Sequence, residues 1–118
     1  MNVSSPPVIE PSAIADLRAL NPDDPGFLRE LVELFVQDVP GRIAEIEQAL
    51  ATSDAVLLTR AAHTIKGSCS NFGATNLHRL SHEMEIQGKS AAFAAAAASL
   101  VALRHEFALV AGALKQFV

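Results

Sequence analysis

The residues best suited to chemistry lie together in Ala62-His63-Thr64-Ile65-Lys66-Gly67-Ser68. In a helix, positions three and four apart share one face, and each Cβ tilts towards the helix N-terminus. Lys66 then reaches back beside the His63 imidazole, and Gly67 leaves the surface over that ring bare. A glycine inside a helix costs about 1 kcal/mol relative to alanine, so its presence needs a cause. Close approach of a bulky anion to His63 accounts for all three residues. The chemistry this allows is phosphoryl transfer from another protein. A neutral imidazole offers a lone pair at physiological pH and needs no general base to attack phosphorus. Such transfer depends mainly on positioning and charge stabilisation. Lys66 supplies the charge, with Arg60 a weaker candidate one turn earlier. Neither GxxxxGK[ST] nor GxGxxG occurs in the chain, so no nucleotide cradle or Mg²⁺ site is readable here. The metal and the other reactive group are expected to arrive with the partner.

The other histidines lack these neighbours. His78 is followed at +3 and +4 by Ser81 and His82, His82 by Glu85 and Ile86, and His105 by Ala108 and Leu109. His78 and His82 have the i, i+4 spacing of a zinc pair, but no HExxH accompanies them, and a solvated helix face is the better reading. Cys69 falls among apolar positions and reads as a buried structural thiol.

The periodicity predicts five helices to carry this motif. Residues 1–11, with three prolines, read as a loose arm. Ser12 caps a short helix to about Leu20, and Asn21-Pro22-Asp23-Asp24-Pro25 forms a turn with Asp24 as N-cap. A long helix from about Pro25 to Ala51 follows, its stripe made of Leu28, Val32, Phe35, Val39, Ile43, Ile46 and Leu50. Pro40 is expected to kink it. Ser53 or Asp54 caps a third helix over 54–71. Thr75 caps a fourth over 75–88, with Leu77, Leu80 and Met84 inward. Ser90 caps a last helix that runs almost to Val118. Short connections make such helices antiparallel neighbours. The expected fold is an all-α, antiparallel up-and-down four-helix bundle with a short additional N-terminal helix, in one domain over 12–118.

On the third helix, at about 100° per residue, Leu58, Ala61, Ala62, Ile65, Ser68, Cys69 and Phe72 fall in one sector. His63 lies nearly opposite its centre, among Thr59, Arg60, Lys66, Gly67 and Ser70, and should be exposed. Phe27, Leu31 and Leu34 form a second apolar stripe on the long helix. It serves either packing against the short N-terminal helix or contact with a partner.

Composition narrows the classes. The 118 residues are 50% hydrophobic with no Trp or Tyr and a net charge of −4, which favours helices and argues against a nucleic-acid binder, since no basic stripe is present. A single cysteine rules out an internal disulfide and fits a reducing, cytoplasmic setting. The N-terminus has no basic-then-apolar signal pattern. The apolar run from Ala91 to Leu103 is shorter than the roughly 18 residues of a membrane span, so no membrane is expected, and a monomer is.

The motif AAHTIKGSCSNFGA resembles the AHxLKGSAxxxGA pattern of the histidine-containing phosphotransfer (HPt) domains of bacterial phosphorelays, with His63, Lys66, Gly67, Ser68, Gly73 and Ala74 in register. FLRELVELFVQDVP from Phe27 resembles that family's preceding helix. LHRLSHEME from Leu77 resembles LxxLCxxLE, with Ser81 in place of Cys and Met84 in place of Leu. The resemblance implies that His63 accepts phosphate from an aspartate of one receiver domain and donates it to another, without being an enzyme that uses nucleotide. The implied partners are response-regulator receiver domains or a hybrid sensor histidine kinase, with Mg²⁺ carried by the receiver. It also implies a docking face on the second and third helices, for which Arg60, Ser70, Gln37, Asp38, Leu31 and Leu34 are candidates. Gln37 or Asp38 is expected near His63. Glu85 matches the family pattern but receives no role from sequence. A rival reading is an adaptor that docks a partner without carrying phosphate, but an adaptor would need none of His63, Lys66 and Gly67.

Overall fold

The computed structural model describes residues 8–118, which form five helices: α1 (Pro11–Leu20), α2 (Gly26–Thr52), α3 (Ala55–Ser70), α4 (Thr75–Lys89) and α5 (Phe93–Lys115). No strand occurs among the described residues. The longer four make a ring in which α2 packs on α3, α3 on α4, α4 on α5 and α5 back on α2. The expected four-helix bundle with a short extra helix is the observed fold.

Local chemistry sets most of the boundaries. Asp54 has extended backbone and its carboxylate accepts the Leu57 amide at 3.0 Å, which starts α3. Asp24 accepts the Gly26 amide at 2.9 Å just ahead of α2, but the N-cap position falls to Pro25 rather than Asp24, and the helix starts at Gly26. Three further expected caps do not form. Ser12 lies inside α1, which begins at Pro11, where proline's fixed φ suits the first turn. The hydroxyl of Thr75 turns to the carbonyl of Gly73, and that of Ser90 to Ile86 at the end of α4. Both hydroxyls donate backwards, to carbonyls of the preceding chain that also accept a backbone amide, rather than accept from the next helix's amides. Pro40 does not split α2, which continues through it to Thr52.

The core follows the apolar stripes. Val39, Ile46, Leu58, Ile65, Leu77, Met84, Leu103, Val110 and Leu114 have no more than trace exposure. Two positions shift from expectation by one residue: Ala49 is buried where Leu50 is only partly so, and Ser81 is buried where Leu80 is half-exposed. Small residues win there because they let neighbouring helices approach closely, and the Ser81 hydroxyl is satisfied by donating to the Leu77 carbonyl at 2.8 Å. Phe35 anchors one end of the bundle, its ring centroid 5.0 Å from Phe72 and 5.8 Å from Phe107.

The chain before α1 departs from the expected loose arm in its last residues. Ile9 is buried, and the Glu10 amide donates to the Gly73 carbonyl at 3.0 Å, tying the segment to the α3–α4 turn. Residues 1–7 lie outside the described residues. Gly73 adopts φ +63°, and a Cβ there would sit 2.7 Å from that of Glu10, so this turn requires glycine twice over. At its other end α1 is held by Arg18, which donates to the Phe117 carbonyl at 2.8 Å.

By length and composition α5 is also long and apolar enough to cross a membrane, which the run from 91 to 103 alone did not register. In the bundle its Ala96, Leu103, Val110 and Leu114 are fully buried.

Candidate functional site

The site forms where α3 and α4 face each other. α3 turns Leu58, Ala61, Ala62, Ile65 and Cys69 into the core, and the helical phase puts His63 on the opposite side, its side chain 64% exposed. α4 buries Leu77, Ser81, Met84, Glu85 and Gly88. Glu85 is thus a carboxylate on an inward-facing stripe, 7% exposed. A buried charge is costly without partners, and here it has several.

Glu85 Oε2 lies 2.9 Å from His63 Nδ1, and Glu85 Oε1 lies 2.7 Å from Lys66 Nζ. Lys89 Nζ approaches Oε2 at 3.7 Å and His82 Nδ1 approaches Oε1 at 3.9 Å. The Lys66 ammonium holds the Glu85 carboxyl down at about 2, against the opposing effect of burial, with the His63 contact adding to the shift. Glu85 is therefore anionic at neutral pH and accepts a hydrogen bond from His63 Nδ1. A neutral His63 then carries its proton on Nδ1 and its lone pair on Nε2, on a ring that stands mostly in solvent.

Lys66 belongs to the same cluster as the imidazole. It is clamped to the same carboxylate by the other oxygen, 21% exposed, and its ammonium is also 3.5 Å from His82 Nδ1. Glu85 is the functional residue that sequence reasoning left without a role. Its available signal was a carboxylate inside the inward stripe of α4 between Met84 and Gly88.

Gly67 is exposed, and a Cβ added to it would meet nothing within 4 Å. Packing does not demand a glycine there. Arg60 is exposed and lines an open groove of about 480 Å³ with Ala55, Val56, Thr59, His63 and Lys89. Ser70 is exposed on the far side of Cys69, its hydroxyl 3.5 Å from the Lys66 carbonyl. Burial pushes the Cys69 thiol up to about 12, which fits an inert core residue.

The α2 candidates separate. Leu31 and Leu34 border a groove with Leu20 and Phe27, with Asp38 at its edge and Ser68 and Asn71 of the α3 end opposite. Leu20 is 73% and Leu34 63% exposed, while Leu31 is half-buried. The second stripe therefore serves both packing and surface. Neither Asp38 nor Gln37 joins the His63 groove. Asp38 pairs with Arg42 at 3.3 Å, and Gln37 borders a groove with Arg29, Glu33, Lys115 and Val118. The phase of α2 turns Gln37 away from α3. Among the described residues, no three His, Cys, Asp or Glu side chains converge as a metal site.

Fold and site together define a helical bundle that presents one carboxylate-held imidazole at its surface, beside a cation and an unfilled glycine position. The family model of the Hpt domain matches residues 30–113 of the 118. The chain belongs to the Hpt domain family. In structure it is similar to histidine-containing phosphotransfer protein B (HptB) from Pseudomonas aeruginosa, with a TM-score of 0.86 and 30% identity over 95% of each chain. It is also 27% identical over 70 residues to the phosphorelay intermediate protein YPD1 of Candida albicans, a match covering 59% of this chain and 38% of that protein.

Proposed function

We propose that His63 takes a phosphoryl group onto Nε2 from the aspartyl phosphate of one receiver domain and passes it to the aspartate of another. The phosphorelay carrier role is that of the family. The atoms are argued from the site, and one observation carries them: the 2.9 Å contact that ties Nδ1 of an exposed ring to an anionic Glu85.

In the forward step the Nε2 lone pair attacks phosphorus, an N–P bond forms, and the P–O bond to the donor aspartate breaks with its electron pair leaving on the carboxylate. The ring then bears a positive charge, with its proton still on Nδ1, and the Glu85 carboxylate offsets that charge. The second receiver's carboxylate reverses these changes. Lys66, held beside the ring by Glu85, supplies positive charge to the phosphoryl oxygens, and Gly67 leaves room for the donor's active-site loops. Mg²⁺ belongs to the receiver domain. The Leu31–Leu34 groove, with Leu20 and Phe27, provides an apolar docking surface at the Ser68–Asn71 end of α3, and Arg60 a cationic one in the His63 groove. The protein acts as a monomer in the cytoplasm.

Incubation with a ³²P-phosphorylated receiver domain tests this reading. Acid-labile, base-stable label on the wild type and none on His63→Gln is the expected result. Wild type that binds the receiver yet stays unlabelled identifies an adaptor instead.

A further inference from the structure

Gly88 falls at the end of the fourth helix expected from sequence, and in the structure it is a buried residue within α4. A Cβ built on it would lie 2.5 Å from Thr59 Oγ1, 2.9 Å from Thr59 N and 3.0 Å from Thr59 Cα. Two of these three atoms are backbone, so rotating the Thr59 side chain does not make room. That side chain is itself engaged, donating to the Ala55 carbonyl at 2.7 Å. At Gly67 and Gly112, by contrast, a Cβ would meet nothing within 4 Å.

The contact sits at an informative place. Thr59 is one helical turn before His63 on α3, and Gly88 is three residues after Glu85 on α4, so the close approach of the two helices lies beside the His63–Glu85 bond. We propose that Gly88 is a positioning residue for the transfer reaction: its missing side chain lets α4 close on α3 far enough for one carboxylate to reach both His63 and Lys66. Ordinary contact distances of 3.4–4 Å would require the backbones to part by roughly half to one ångström, enough to weaken a hydrogen bond of 2.9 Å and an ion pair of 2.7 Å. The inference rests on the reading of His63 as phosphoacceptor for its kinetic consequence, but its structural half does not.

The test uses the full chain as Gly88→Ala, alone and combined with Glu85→Gln. Initial rates of transfer from a phosphorylated receiver and the ¹⁵N shift of His63 Nδ1 are measured. Gly88→Ala is expected to keep its helicity, move the Nδ1 resonance and slow transfer by about tenfold. In the Glu85→Gln background the same substitution should cost less than about twofold, because the carboxylate charge that the close approach brings to His63 and Lys66 is already gone. Gly112→Ala serves as the control with wild-type values. Equal slowing in both backgrounds marks Gly88 as merely structural, and an unchanged rate and shift in Gly88→Ala also overturns the proposal. Should Gly88→Ala not fold in plain buffer, it is read by the same criteria in a stabilising osmolyte such as trimethylamine N-oxide, with the wild type measured alongside. A wild type that takes no label refutes the phosphoacceptor reading instead, and the Nδ1 shift then decides the role of Gly88 by itself.

Discussion

Replacing Glu85 by glutamine keeps the shape of the side chain and removes only its charge. Glu85 is 7% exposed and its carboxyl drops from 4.5 to about 2 in the fold. At about 1.36 kcal/mol per pKa unit, that drop corresponds to roughly 3 kcal/mol of stability at neutral pH. It is a ceiling, because glutamine can still accept from His63 Nδ1, and Lys66 regains water once unpaired. We therefore expect Glu85→Gln to cost about 1–3 kcal/mol, or about 4–12 °C in melting temperature for a chain of this size. The sign follows from the direction of the shift. A depressed carboxyl contributes fully above its unfolded value of 4.5 and loses that contribution as pH falls towards about 2. Thermal melts of wild type and Glu85→Gln followed from pH 7 to pH 2.5 should show a gap that is constant above about pH 5.5 and closes below pH 4.5. A gap independent of pH, or none at neutral pH, would show that the Lys66–Glu85–His63 cluster does not hold the carboxylate as described. Transfer should fall in the same variant, because the charge on the phosphorylated ring loses its counterion.

Other substitutions separate the parts of the site. Gly67→Leu should leave the melting temperature within about 2 °C, since a side chain there meets open space, while blocking transfer by covering the imidazole; normal transfer kinetics would refute the clearance argument. Lys66→Ala should slow transfer and also destabilise the bundle by about 1–3 kcal/mol, because it removes the nearest cation from a buried carboxylate; denaturant titration reads the second effect, and an unchanged midpoint would count against it. Leu34→Asp should raise the KM for the receiver domain with little change in fold stability, because Leu34 is 63% exposed; an unchanged KM would place docking elsewhere.

Much of the architecture is readable along the chain because helix formation and burial are governed by residues three and four apart. The stripe from Leu28 to Ile46 and the sector around Ile65 are buried as their spacing implies. The same periodicity places His63 outside. Capping was less readable: Asp54 behaves as expected, but Ser12, Thr75 and Ser90 do not. A hydroxyl can satisfy a carbonyl behind it as well as an amide ahead, and composition does not decide between them. Gln37 was misplaced for a related reason. Its position relative to α3 depends on how α2 is rotated about its axis, which the stripe defines only within a broad arc.

Local spacing alone determined that an imidazole, an ammonium and a bare glycine occupy one solvent-facing side of a helix, since all three lie within five consecutive residues and a single turn relates them. Only the packed bundle decided what holds that imidazole. Glu85 is 22 positions from His63, and its charge becomes an anchor only because α4 crosses α3 closely enough at Gly88 and Thr59. Helical periodicity carries no information about the separation of two helix axes. The carboxylate's partners, its depressed pKa and the proposed choice of Nε2 as the reactive atom all follow from that separation.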